Sequence, residues 1–286
     1  MTVRAERADG GLTASLPSPG SNSLDLGPLS LNAYGLMIAL GVIAAVWLFG
    51  RRLDERRLVV REGKLAGREA SGQVALWAVV AGVIGARLYH VVTDWHRFED
   101  DLGEIPKLWE GGLGIPGGLL AGVPVGIWAA RRLGISAADA ATCAAPALPL
   151  AQAIGRWGNW FNQELFGRPT DLPWALEIDA AHVPAGYAVG TTFHPTFLYE
   201  SLWNLALCAV LLVVDRRRPL PRGGLMALYV AGYAVGRFWV EGLRIDPADE
   251  WAGLRLNQWV AIAAFVIAVA YLVATVRRSP YRPVAE

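Results

Sequence analysis

Charge is scarce in this sequence: 18% of its 286 residues are Asp, Glu, Lys or Arg, against roughly 25% in an average soluble domain. The formal net charge is +1, so no basic surplus points to nucleic acid, and no such partner is expected. Cysteine is almost missing. Cys143 and Cys208 are the two present, both in apolar stretches and without metal-ligand spacing, so they read as small packed side chains. No His/Cys/Asp grouping suggests a metal, and no cofactor is expected. Residues 1–30 lack a short apolar centre behind basic residues, the mark of a signal peptide. Rich in Ser, Gly, Pro and Asp, they read as a flexible extracytoplasmic tail. No internal repeat of the kind found in inverted-repeat transporters is visible.

Apolar length is what the chain does have. Hydrophobic residues make up 54% of it, and the mean hydropathy is +0.34. Runs near the roughly 20 residues that a spanning helix needs recur at 32–50, 72–94, 112–130, 138–160, 196–214, 223–243 and 256–276. The expected fold class is therefore an all-α polytopic membrane protein with seven transmembrane helices. Pro146 and Pro149 remove backbone donors from the fourth run, so a kinked or broken helix is expected there. Tryptophans at run ends, such as Trp95, Trp109, Trp160, Trp239 and Trp259, read as an interfacial belt.

Basic residues set the orientation. Arg51, Arg52, Arg56, Arg57, Arg61, Lys64 and Arg68 follow the first run, and Arg131 and Arg132 the third. Arg216, Arg217, Arg218 and Arg222 follow the fifth, and Arg277, Arg278 and Arg282 the seventh. The opposite loops hold fewer: Arg4, Arg7, Arg97, Lys107, Arg168, Arg244 and Arg255. The N-terminus is thus expected outside and the C-terminus in the cytoplasm. In domain terms, a tail over 1–30 precedes a seven-helix membrane domain over 31–276 and a cytoplasmic tail over 277–286. A small extracytoplasmic cap at about 160–195 separates the fourth and fifth helices, with turns at Pro169, Pro173, Pro184, Gly186 and Gly190 and a short strand within 174–178.

Polar residues within or beside such runs are costly and mark function. The stretch from Gly155 to Gly167 holds Arg156, Asn159, Gln163 and Glu164. If helix continues through it, Arg156, Asn159 and Gln163 share a face, while Gly155 and Gly158 admit a close neighbour. Tyr233, Arg237, Glu241 and Arg244 share a face of the sixth run. An Arg237–Glu241 ion pair accounts for two of those charges but not for Arg244 or the separate Arg156. His194 opens the fifth run as an interfacial anchor or a catalyst, with Tyr199 and Glu200 beside it. Arg87 needs a partner, structural or substrate. The glycines of 111–118 serve helix packing or the approach of backbone amides to a phosphate. Two arginines on different helices, Arg156 and Arg237, suit a lipid phosphate, which guanidinium binds as a fork. Transfer of part of a lipid, transport of a lipid and binding of an anionic solute all fit.

Together these motifs resemble the bacterial prolipoprotein diacylglyceryl transferase family. The resemblance rests on Gly155-Arg-Trp-Gly-Asn-Trp-Phe-Asn-Gln-Glu-Leu-Phe-Gly167, on His194-Pro-Thr-Phe-Leu-Tyr-Glu200 and on Tyr233-Ala-Val-Gly-Arg-Phe-Trp-Val-Glu-Gly-Leu-Arg244. It extends to Asn32-Ala-Tyr34-Gly and Gly85-Ala-Arg87, and covers roughly 30–276. It implies transfer of the diacylglyceryl group of phosphatidylglycerol to the lipobox cysteine of a preprolipoprotein signal peptide, with release of glycerol phosphate. The implied location is the bacterial inner or plasma membrane, with the active site toward the extracytoplasmic face and membrane lipids as partners. By matching position, Arg156 and Arg237 become phosphate clamps, and Tyr233 bonds the lipid or the thiol. His194 joins them as a catalytic candidate. Tyr34, Arg87, Gly117, Gly118, Asn159, Glu164, Gly167, Glu241 and Arg244 fall to substrate binding.

One departure stands out. Many family members carry a histidine before the paired glycines of the third helix, and here that position is Pro116. The thiol must still lose its proton, which leaves His194, His90, Glu241 or a water between the arginines as the base. The competing readings are a non-enzymatic transporter of anionic lipid and a lipoprotein-binding relative that uses the same arginine site. A transporter's polar site belongs near the midplane, whereas these residues gather near one face.

Overall fold

The computed structural model describes residues 15–26, 29–58, 67–107 and 111–278. Residues 1–14 of the expected tail, Arg61, Lys64, Trp109, and residues 279–286 with Arg282 lie outside the described residues. Helix dominates the rest. In chain order the long helices are α1 (Ala33–Glu55), α2 (Gly67–Thr93) and α3 (Ile115–Arg132). Three short ones follow, α4 (Ala137–Ala144), α5 (Ala147–Gly155) and α6 (Trp157–Phe161). The last are α7 (Thr196–Arg217), α8 (Gly224–Glu241) and α9 (Leu256–Arg278).

Four of these, α1, α2, α7 and α9, are long and apolar enough to cross a membrane. Helices α3 and α8 have 18 residues each, and α8 carries the charged Arg237 and Glu241. Large apolar side chains such as Ile43, Leu76, Leu120, Val260 and Ile267 face outward, uncovered by protein. Helices with such faces are stable in hydrocarbon rather than water, the mark of a multi-pass membrane protein. Local sequence explains several helix ends. Asn32 Oδ1 accepts from the Tyr34 N–H at 2.8 Å and caps α1. Ser136 caps α4 by accepting from the Asp139 N–H at 3.1 Å. Pro116 sits in the first turn of α3, where a missing donor costs nothing. The expected break in the fourth run falls between α4 and α5, at Pro146.

Two compact units are present. The first takes the described residues of Met1–Gly41, Ala151–Ala206 and Val230–Ile267. Its strands pair antiparallel as β1 (Ser23–Leu26) with β2 (Leu29–Asn32), β3 (Leu176–Glu177) with β4 (Thr192–Phe193), and β5 (Glu250–Trp251) with β6 (Leu254–Arg255). Strand β3 lies in the stretch where the sequence suggests one. Phe166, Leu176, Ile178, Phe193 and Phe197 form an apolar core, and Leu16 packs against it. The Leu16 N–H donates to Ala175 O at 2.8 Å and the Glu177 N–H to Leu16 O at 2.9 Å. Part of the stretch expected as a flexible tail is therefore held, because the open edge of β3 offers it backbone partners.

The second unit takes the described residues of Val42–Leu150, Leu207–Tyr229 and Ala268–Glu286. Helices α2 and α3 close on each other through glycine. A Cβ on Gly85 would lie 2.5 Å from the Gly117 carbonyl oxygen, and one on Gly117 would collide with the Gly85 carbonyl. No larger residue permits that approach. The apolar core includes Leu48, Phe49, Leu53, Ile135, Cys143 and Cys208, and both cysteines are free thiols. Asp215 on α7 is shared by Arg52 of α1 and Arg56 just beyond its end, so the buried Arg52 is paired.

Candidate active site

The motif that opens at Gly155 folds as a corner. Helix α5 ends at Gly155, Arg156 turns the chain, and α6 runs only to Phe161. Gln163 and Leu165 then take φ of 52° and 58°, left-handed values that a helix cannot contain. The continuous helix expected there does not form, and Gln163 leaves the face of Arg156 and Asn159. Its amide instead donates to Asp179 Oδ2 at 2.6 Å and accepts from the Asp179 N–H at 2.8 Å, stapling the cap.

Asn159 stays buried in α6 and donates to Glu164 Oε1 at 2.8 Å. A Cβ on Gly158 would reach within 2.6 Å of the Tyr34 ring, so the glycine lets Tyr34 lie directly on α6. Gly167 has a similar task. Its N–H donates to His194 O at 2.9 Å, and a Cβ there would stand 2.8 Å from His194 Cβ and 3.1 Å from Leu243 O.

The charged residues form one chain of contacts in the first unit. Glu200, in the first turns of α7, binds Arg156 through Oε2 and approaches Arg237 Nη1 at 3.9 Å through Oε1. Arg237 Nη2 also meets Glu241 Oε2 at 2.7 Å. Glu241 has no exposed surface. It is surrounded by Arg244 Nη1 at 3.8 Å, Arg255 Nε at 3.3 Å and Asn257 Nδ2 at 3.1 Å. Asp246 closes the far end, accepting from Arg244 at 2.7 and 3.0 Å and from Arg255 at 2.9 Å. Burial would raise the Asp246 pKa, but the hydrogen bond from Arg244 and the charges of Arg244 and Arg255 outweigh it and hold the carboxyl below its ordinary value.

So Arg237 and Glu241 do pair, and the pair is one link of a larger network. Four guanidiniums (Arg156, Arg237, Arg244, Arg255) meet three carboxylates (Glu200, Glu241, Asp246), which leaves one positive charge. Glu200 enters the sequence reading only as a neighbour of His194, and Arg255 only as a loop charge. Tyr233 and Arg237 line a cavity of about 10 Å³ together with Glu200, Trp203, Asn204, Gly236 and Val240.

His194 lies apart from the arginine chain. Its Nδ1 is 3.0 Å from the Tyr199 hydroxyl, which accepts from Trp174 Nε1 at 3.0 Å. That oxygen can accept a second hydrogen bond from Nδ1–H or donate its own hydrogen to Nδ1, and the two correspond to the two neutral tautomers of the ring. Burial, then the nearby Arg168 charge, lowers the His194 pKa.

Three expected site residues belong to the second unit. Arg87 is buried and committed to the loop before α3, donating to Ile105 O at 2.8 Å, Glu104 O at 2.7 Å, Gly111 O at 2.7 Å and Gly112 O at 3.2 Å. Gly117 and Gly118 face α2, the helix-packing arrangement. His90 pairs with Asp94 at 2.8 Å in the same unit. Among the described residues, no group of three or more His, Cys, Asp or Glu side chains could hold a metal ion.

With this geometry in hand, comparison with known proteins gives a consistent picture. The family model for prolipoprotein diacylglyceryl transferase matches residues 22–274. The phosphatidylglycerol–prolipoprotein diacylglyceryl transferase 2 of Streptomyces coelicolor is 52% identical over 271 residues, which span 93% of this chain and 83% of that protein. The corresponding transferase of Frankia alni is 52% identical over 275 residues, 94% of this chain and 69% of its own length. That of Cutibacterium acnes is 49% identical over 269 residues, 92% of this chain and 88% of its own.

Proposed function

Because this chain belongs to the prolipoprotein diacylglyceryl transferase family, we propose that it moves the diacylglyceryl group of phosphatidylglycerol to the lipobox cysteine of preprolipoproteins. Glycerol phosphate is the leaving group. The observation that carries the reading is the sharing of Glu200 by Arg156 and Arg237. Two guanidiniums from different elements converge on one anion, and a lipid phosphate offers the same charge in a form that guanidinium forks fit. The network's single surplus positive charge matches a phosphodiester monoanion.

The thiolate sulfur attacks the glycerol carbon that bears the phosphate, and the carbon–oxygen bond breaks. Negative charge then grows on the phosphate, where fixed guanidiniums in a poorly hydrated site stabilise it better than water does. Glu241 backs Arg237, while Arg244 and Arg255 offset the buried charge of Glu241. Tyr34, Tyr233, Asn159, Glu164 and Gly167 shape the headgroup site, and His194 orders the cap through Tyr199. In the second unit Arg87, Gly117 and Gly118 hold α2, α3 and their connecting loop.

In the membrane, α1, α2, α3, the broken α4–α6 segment, α7, α8 and α9 make seven spans, with the N-terminus outside. The site faces outward from the bacterial inner or plasma membrane, where both lipid and signal peptide arrive from the bilayer.

The test uses right-side-out and inside-out vesicles that contain the protein and phosphatidylglycerol, given a soluble lipobox peptide. Mass spectrometry is expected to find a diacylglyceryl thioether on peptide added to right-side-out vesicles, and none on a Cys→Ser peptide. Protein that binds phosphatidylglycerol but lipidates no peptide in either orientation would overturn the reading.

A further inference from the structure

The usual histidine position is Pro116, so the thiol's proton needs another destination in this chain. His194 is poorly suited, with Nδ1 engaged by the Tyr199 hydroxyl, and with burial and the nearby Arg168 charge lowering its pKa. Glu241 is enclosed by Arg237, Arg244, Arg255 and Asn257 and has no exposed surface. Glu200 differs from both. It is buried, yet its ion partners are the two arginines that the phosphate would engage, Arg156 and Arg237. It also borders the cavity of about 10 Å³, room for about one water molecule. Asn204, one helical turn further along, donates from Nδ2 to Glu200 O at 2.8 Å. That bond fixes the amide's orientation and leaves the buried Oδ1 without a hydrogen-bond partner, ready for a water.

On the transferase reading above, we propose that Glu200 is the catalytic base that accepts the proton of the substrate thiol, and that binding of the lipid phosphate arms it. In the resting protein Arg156 and Arg237 are the ion partners of Glu200. When phosphate oxygens take over those guanidinium donors, Glu200 becomes a buried carboxylate without its two direct ion partners, a state relieved by taking up a proton. The proton passes from the cysteine sulfur to Glu200, directly or through the water beside Asn204. The sulfur–carbon bond forms as the carbon–oxygen bond breaks, and that bond's electron pair stays on the departing phosphate.

Charge balance supports the assignment. With the phosphodiester bound, the four arginines meet Glu200, Glu241, Asp246 and one phosphate charge, and the cluster is neutral. After transfer, glycerol phosphate is a dianion, and neutrality persists only if Glu200 is protonated. A proton lost to bulk water would leave an uncompensated negative charge in a buried cluster, which is costly. Facing Glu200 are Arg156 from the α5–α6 corner, Tyr233 and Arg237 from α8, and Trp203 and Asn204 from α7 itself, with the charge of Arg244 within electrostatic reach.

The experiment compares wild type with Glu200→Gln, which keeps the side chain's size but cannot act as the base. Phosphatidylglycerol binding and glycerol phosphate release to a lipobox peptide are measured across pH. Release by Glu200→Gln is expected to fall about 10²–10⁴-fold at neutral pH, the range for a lost general base. It should recover as pH approaches the free thiol's value of about 8.5, with lipid binding kept or tightened. A variant with the wild-type rate and pH profile would overturn the assignment, and so would loss of lipid binding, which would make Glu200 only a holder of the arginines. Difference infrared spectroscopy on wild type with glycerol phosphate bound gives a second test should the variant fold poorly. A protonated carboxyl band that shifts with ¹³C-glutamate is expected, and its absence would overturn the proposal. Wild-type protein that releases no glycerol phosphate would instead sink the underlying transferase reading.

Discussion

A carboxylate with no exposed surface costs several kcal/mol unless its charge is met. Glu241 is met by Arg237, Arg244 and Arg255, and Asp246 in turn ties Arg244 to Arg255. The pH behaviour of Asp246 follows from this placement. Although burial opposes it, pairing with Arg244 and Arg255 holds the folded carboxyl below its ordinary value. The stabilisation it gives is complete above the ordinary aspartate range and is lost as pH falls from there through the lowered folded value. Asp246→Asn is therefore expected to flatten the acid limb of thermal stability plotted against pH in detergent. An unchanged acid limb would contradict the pairing. The sequence alone reveals part of this network. Arg237 and Glu241 are legible because helical spacing gathers them on one face, whereas Arg244, expected on that face, lies beyond the end of α8 and still meets Glu241. Glu200 and Arg255 are not legible, since they meet their partners only when α7 and the β5–β6 hairpin pack beside α8. Gln163 misleads because nothing in its neighbourhood announces the left-handed backbone that takes it to Asp179.

Among the elements, run length and proline spacing carry most of the information. The runs at 32–50, 72–94, 196–214 and 256–276 correspond to α1, α2, α7 and α9, and Pro146 marks the α4–α5 break. The pairing of Leu16 with the edge of β3 is hidden, because it joins backbone groups far apart in sequence and needs no particular side chain. The glycines of 111–118 stay ambiguous until their neighbours are known, and at Gly117 the neighbour is the backbone of α2. This makes Gly85→Leu a test of the helix pair. Overpacking there is expected to cost about 1–3 kcal/mol or more, seen as a lower midpoint of thermal unfolding. Gly72→Ala on the same helix, where a Cβ would meet nothing within 4 Å, should leave the midpoint in place. Equal effects from the two changes would contradict close α2–α3 packing.

For the molecule as a whole, the apolar helices and the arginine chain answer one requirement. Outward faces carrying Ile43, Leu120 and Ile267 suit hydrocarbon, while the arginines of the first unit are kept from it by carboxylates and backbone. On the proposed function, the cluster's surplus cation serves the lipid phosphate. The most direct measurement is glycerol phosphate release from phosphatidylglycerol, with a lipobox peptide as acceptor, for wild type, Arg156→Ala and Arg237→Ala proteins shown to be folded. Loss of either clamp is expected to slow release about 10²–10³-fold, as removal of a transition-state donor does elsewhere. Release at the wild-type rate by either folded variant would contradict the arginine clamp.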